Sequence, residues 1–90
     1  MKKNDIVTVV AISGEYVGKF VAQVETTITL KDPRMIVSNP EGGMGFAHGV
    51  AVTGKEAVPS IVFNNYVFVT PTNEGVEKAY VEATSSIQLV

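Results

Sequence analysis

Residues 12–32, ISGEYVGKFVAQVETTITLKD, decide how this chain folds. From Glu15 to Val24 the residues alternate. Tyr16, Gly18, Phe20, Ala22 and Val24 share one side, and Val17, Lys19, Val21 and Gln23 share the other. A period of two is the signature of a half-buried β-strand. Ser13-Gly14 before it is a turn dipeptide, and Glu25-Thr26-Thr27 after it is a polar break between two apolar runs. Gly18 stands inside the strand, where glycine weakens the ladder unless the backbone must bend or be approached closely. It therefore marks a sharp bend.

Working outward, IVTVVAIS (6–13) is rich in β-branched residues and reads as the strand before the first turn. Ile28 and Leu30 alternate with Thr29 and Lys31 in a third strand, which resumes at Met35-Ile36-Val37 beyond Asp32-Pro33-Arg34. The proline cannot donate to a ladder, so it predicts a bulge or an edge. Residues 38–60 hold SNPEGGMGFAHG, a long glycine-rich hairpin tip or loop, with GVAVTG as a short strand within them. IVFNNYVFVT (61–70) is a strong strand interrupted at Asn64-Asn65 and stopped by Pro71. Residues 73–84 are the one helical candidate, with Asn73 as cap and Val76, Ala79, Tyr80 and Ala83 on one face. SIQLV at 86–90 reads as a last short strand. Residues 1–90 thus form one mainly β domain, expected as a small, strongly bent, five-stranded antiparallel barrel with one short C-terminal helix.

Composition sets the remaining bounds. A hydrophobic share of 46% against 18% charged is apolar for 90 residues, which suits a domain that buries surface against other copies of itself. The chain has no cysteine, so disulfides and thiolate metal sites are excluded. Asp5 and Thr8 interrupt the apolar stretch behind Lys2-Lys3, and no stretch has the length of a membrane span. A soluble cytoplasmic protein without membrane association is expected. The net charge of −2 excludes a strongly basic nucleic-acid binder and leaves room only for a local patch.

Catalysis requires a nucleophile with its base, paired carboxylates or a metal cluster. The single histidine, His48, lies among glycines with neither cysteine nor a second histidine beside it and reads as a solvated loop residue. GGMGF lacks the Lys-Ser/Thr ending and the helix of a phosphate loop, and the nine acidic residues are scattered. Neither an enzyme nor a cofactor is expected.

One constellation carries more. Gly14, Tyr16, Gly18, Phe20, Glu25, Ile28, Thr29 and Leu30 follow in an order that resembles the first motif of the Sm and Sm-like family, in its divergent, marine-phage type. Phe63-Asn64-Asn65-Tyr66-Val67 echoes the second motif. There are departures. Gly14 and Gly18 are one residue closer than is usual, Glu25 replaces aspartate, Thr29 replaces asparagine, and Phe63-Asn64 replaces the arginine-glycine pair. No counterpart of the family's N-terminal helix precedes Ile6. The resemblance implies a homo-oligomeric ring closed by edge-strand pairing, with pore-facing loops that bind single-stranded RNA or DNA during its processing. The residues it places at that interface are Glu25, Thr26, Thr27, Ile28 and Thr29, with Asn64 and Asn65. Lys31, together with Lys19 and Arg34, offers a basic rim. The competing expectation is a structural or adaptor ring without nucleic-acid binding, which the net acidity and the missing arginine favour.

Overall fold

A computed structural model describes residues 1–47, 49–51 and 53–85. It contains strands β1 (Ile6–Ala11), β2 (Gly14–Val24), β3 (Thr27–Ser38), β4 (Met44–Phe46), β5 (Ser60–Asn64) and β6 (Phe68–Pro71), followed by helix α1 (Glu74–Thr84). All strand pairs are antiparallel, in the order β4-β3-β2-β1-β6, with β5 on the same edge of β3 as β4 and nearer the β3 start. The architecture is mainly β with one C-terminal helix. It has six strands where five were expected, because Met44–Phe46 of the glycine-rich segment pairs with Ile36–Ser38. GVAVTG forms no strand among the described residues. His48 and the proposed strand at 86–90 lie outside the described residues.

The sheet is curled but not closed. Three residues link Asn64 at the end of β5 to Phe68 at the start of β6. Four Cα steps reach at most about 15 Å. A flat sheet would hold β5 and β6 four strand spacings apart, roughly 19 Å. The sheet must therefore bend to let the link close. No ladder joins β5 to β6 among the described residues, so each keeps one unpaired edge.

Two irregularities shape the bend. β3 carries one residue more than β2 between the pairs Val17–Arg34 and Lys19–Lys31, and Asp32 within it adopts a left-handed φ of 51°. This bulge is the one the proline predicted, and Pro33 is fully buried in it. The Asp32 N–H donates to the Pro59 carbonyl at 2.9 Å, and its carbonyl accepts from the Tyr80 hydroxyl at 2.6 Å. Gly18 lies opposite. A Cβ added there would stand 3.0 Å from Leu30 Cβ, so Gly18 lets β3 press onto β2.

The second irregularity lies on β2, which carries one extra residue between the pairs Phe20–Leu30 and Ala22–Thr29. One additional residue turns every later side chain to the opposite face. Ala22 and Val24 consequently leave the inner face where alternation placed them, and Val24 is 62% exposed.

The core is built from Val7 and Val9 of β1 and Ile28 and Leu30 of β3, with Phe20, Ile61, Phe63, Tyr66 and Val69 packed around them. Helix α1 starts where Asn73 Oδ1 accepts from the Val76 N–H at 2.9 Å, with Glu74 and Glu77 in the first turn favoured by the helix dipole. It docks through Tyr80, which is fully buried and meets Phe46 edge-on at 6.0 Å. Burial pushes the Tyr80 hydroxyl pKa up to about 12, the Asp32 carboxylate raising it further and Arg34 opposing. No helix among the described residues is long and apolar enough to cross a membrane.

Candidate nucleic-acid interface

The β2–β3 hairpin turns in two residues, Glu25 and Thr26, since Val24 pairs directly with Thr27. So tight a turn needs a left-handed residue, and Glu25 supplies it at φ 55°. The Thr27 hydroxyl closes the turn by donating to the Val24 carbonyl at 2.8 Å. The three-residue link between β5 and β6 also holds a left-handed residue, Asn65 at φ 60°. Asparagine tolerates this conformation better than most residues.

These two tips, 38 residues apart in sequence, are bonded to each other. The Thr26 hydroxyl donates to Asn64 Oδ1 at 2.9 Å, and the Asn65 N–H donates to the Thr26 carbonyl at 3.1 Å. Ladder pairing of Thr27 with Asn64 sets the alignment. Glu25, Thr26, Asn64 and Asn65 are all exposed. The structure therefore brings both expected loops into one polar cluster.

Sequence reasoning missed two members. Gln23 Nε2 donates to the Tyr66 hydroxyl, and Tyr66 is half-buried with its ring against the core. The β2 bulge turns Gln23 inward, opposite Ile28, at the open end of the sheet. Tyr66 was signalled only by its place after Asn64-Asn65.

Ile28 does not join this exposed cluster. It is fully buried among Val7, Val9 and Leu30, because the period of β3 turns it inward. Thr29 and Lys31 lie on the opposite, outer face with Thr27. Thr29 is half-buried and Lys31 exposed. That face forms three rows across β2, β3 and β5: Val24–Thr27–Asn64, Ala22–Thr29–Val62 and Lys19–Lys31–Ser60. The surface thus runs from amide and hydroxyl groups, over a small apolar strip, to two lysines. Its chemistry is hydrogen bonding and anion attraction. Two recesses of about 380 and 400 Å³ between α1 and the sheet share Ile36, Met44, Asn73 and Val76, and no tip residue lines either.

No family model, no curated protein and no solved structure matches the chain.

Proposed function

We propose that this protein is an Sm-like ring subunit that binds single-stranded nucleic acid where the β2–β3 turn and the β5–β6 link are joined. The observation that carries the reading is the pair of bonds from Thr26 to Asn64 and from Asn65 to Thr26, which unite the two loops. Exposed amides and hydroxyls suit the edges of unstacked bases, which is how single strands are read. Repetition of one weak site around a ring multiplies its avidity.

Assembly is supported by the sheet edges. Among the described residues β5 and β6 each keep one side unpaired, and Val62 and Phe68 on them are 60% and 51% exposed. Pairing β5 of one copy with β6 of the next removes both edges, and a head-to-tail contact of this kind closes into a ring when its rotation permits.

Fluorescence anisotropy with labelled oligo-U, oligo-A and single-stranded DNA at low and moderate salt tests the reading. Binding is expected at low salt and weakens as salt rises. Asn65→Gly keeps the left-handed backbone while removing the amide and is expected to weaken binding at least severalfold without dissolving the oligomer. Absence of binding at low salt to all three probes overturns the reading.

One observation favours a purely structural ring. Burial of Ile28 leaves no stacking platform at that motif position, and stacking supplies much single-strand affinity. Under that reading the protein assembles identically and binds none of the three probes.

A further inference from the structure

Lys19 and Lys31 stand directly opposite each other on β2 and β3, on the outer face. Like charges at opposed positions destabilise a sheet, and ordinary β-proteins place a carboxylate or a neutral residue there. Among the described residues one carboxylate pairs with them: Asp32 Oδ2 lies 3.8 Å from Lys19 Nζ, with both side chains about one-third exposed. Lys31 is exposed and forms no ion pair among the described residues.

The N-terminal segment adds to this end of the sheet. Its backbone is tied to the residue after Lys19 by two short bonds. The Asn4 N–H donates to the Phe20 carbonyl, and the Phe20 N–H to the Asp5 carbonyl, each at 2.7 Å. Lys2 and Lys3 are thereby held beside the β2 segment that carries Lys19. Four lysines face two aspartates, Asp5 and Asp32, in this corner, a local charge of +2 in a chain whose total is −2. The rest of the chain therefore carries −4. The basic residues are gathered where the fold gains nothing from their proximity.

We infer that the Lys19–Lys31 pair, with Ser60 beside it in the same row and Lys2-Lys3 at its margin, is a phosphate-binding site. The inference rests on the nucleic-acid reading for its ligand, the phosphodiester backbone of a strand whose bases meet the Thr26–Asn64 cluster. The geometry joins the two sites. Thr27, Thr29 and Lys31 are successive outward residues of β3, so the row of lysines lies about 13 Å from the row of Asn64. That distance corresponds to roughly four stacked nucleotides at about 3.4 Å each. The strip between the two rows is Ala22, Thr29 and Val62, a low surface across which a strand passes without obstruction.

The test compares the Lys19→Gln/Lys31→Gln double variant with a Lys55→Gln/Lys78→Gln control of equal charge change. The probes are labelled oligo-U over a range of salt concentrations and inorganic tripolyphosphate. The first variant is expected to bind oligo-U about tenfold more weakly at moderate salt. Its log K against log[salt] slope is expected to fall by about 1.4, two charges at about 0.7 each for a single strand. The control is expected to match the parent protein in both. Relief of the like-charge opposition offsets the loss of the weak, partly exposed Lys19–Asp32 ion pair. Tm is therefore expected to stay near that of the parent protein, and a thermal melt separates lost binding from lost folding. Unchanged affinity and slope in the double variant overturn the phosphate site and leave the nucleic-acid reading standing. Tripolyphosphate binding that needs both lysines, without oligonucleotide binding, keeps the site and removes that reading. Binding of neither probe by the parent protein overturns both.

Discussion

Gly18 is required for what it lacks. Its φ is ordinary, so conformational freedom is not the reason; the 3.0 Å approach of Leu30 is. Gly18→Ala forces Leu30 or the β3 backbone to move inside a packed core, and such overpacking costs typically 1–3 kcal/mol, roughly. The midpoint of urea unfolding of Gly18→Ala is expected to fall accordingly, and an unchanged midpoint contradicts the close approach. Tyr80 makes a second prediction at this scale. Its pKa is raised from 10.0 to about 12, so the folded state holds the proton more tightly than the unfolded chain. The resulting stability is fully present below pH 10 and is lost as pH rises through 12. Lysines titrate in the same range, so the comparison is with Tyr80→Phe. The parent protein is expected to lose more Tm than this variant between pH 10 and 12, and parallel losses contradict the assignment. Single residues were legible where one local rule governs them. Asn73 as helix cap and Pro33 as bulge are both as the sequence indicates.

Strands were legible in existence but not in facing. The alternation of β2 assigns Ala22 and Val24 to the core, and one extra residue near Val21 sends both outward while turning Gln23 in. Nothing in FVAQV distinguishes a bulged from a regular ladder, because a bulge depends on the register with β3 and not on local pattern. The same reasoning explains Ile28. Its place in the motif suggested a loop, whereas the turn uses only Glu25 and Thr26 and the strand begins at Thr27. β4 was missed because three residues among glycines carry no period. The open edges of β5 and β6 yield a test at this scale. Phe68→Lys places a charge on an exposed edge position, a device that blocks edge-to-edge pairing. Sedimentation is expected to show loss of the oligomer while far-UV circular dichroism keeps its β signal. An oligomer that survives the substitution contradicts assembly through β6.

At the scale of the whole molecule, the fold places functional groups by curling. A sheet bent enough for a three-residue link between β5 and β6 sets that link beside the β2–β3 turn, and so joins Asn64 and Asn65 to Thr26. The sequence reading had both loops as candidates but no means of showing that they touch. It also grouped Lys19 and Lys31 with Arg34 as a basic rim without placing the two lysines opposite each other, since their opposition depends on the Asp32 bulge shifting the register. The central claim is that such subunits form a closed ring around one strand. Native mass spectrometry of the protein mixed with a short oligo-U measures this directly. The account predicts a single closed oligomer, an integral multiple of the 9.6 kDa chain, carrying one oligonucleotide. A bare 9.6 kDa monomer with no oligonucleotide attached contradicts it.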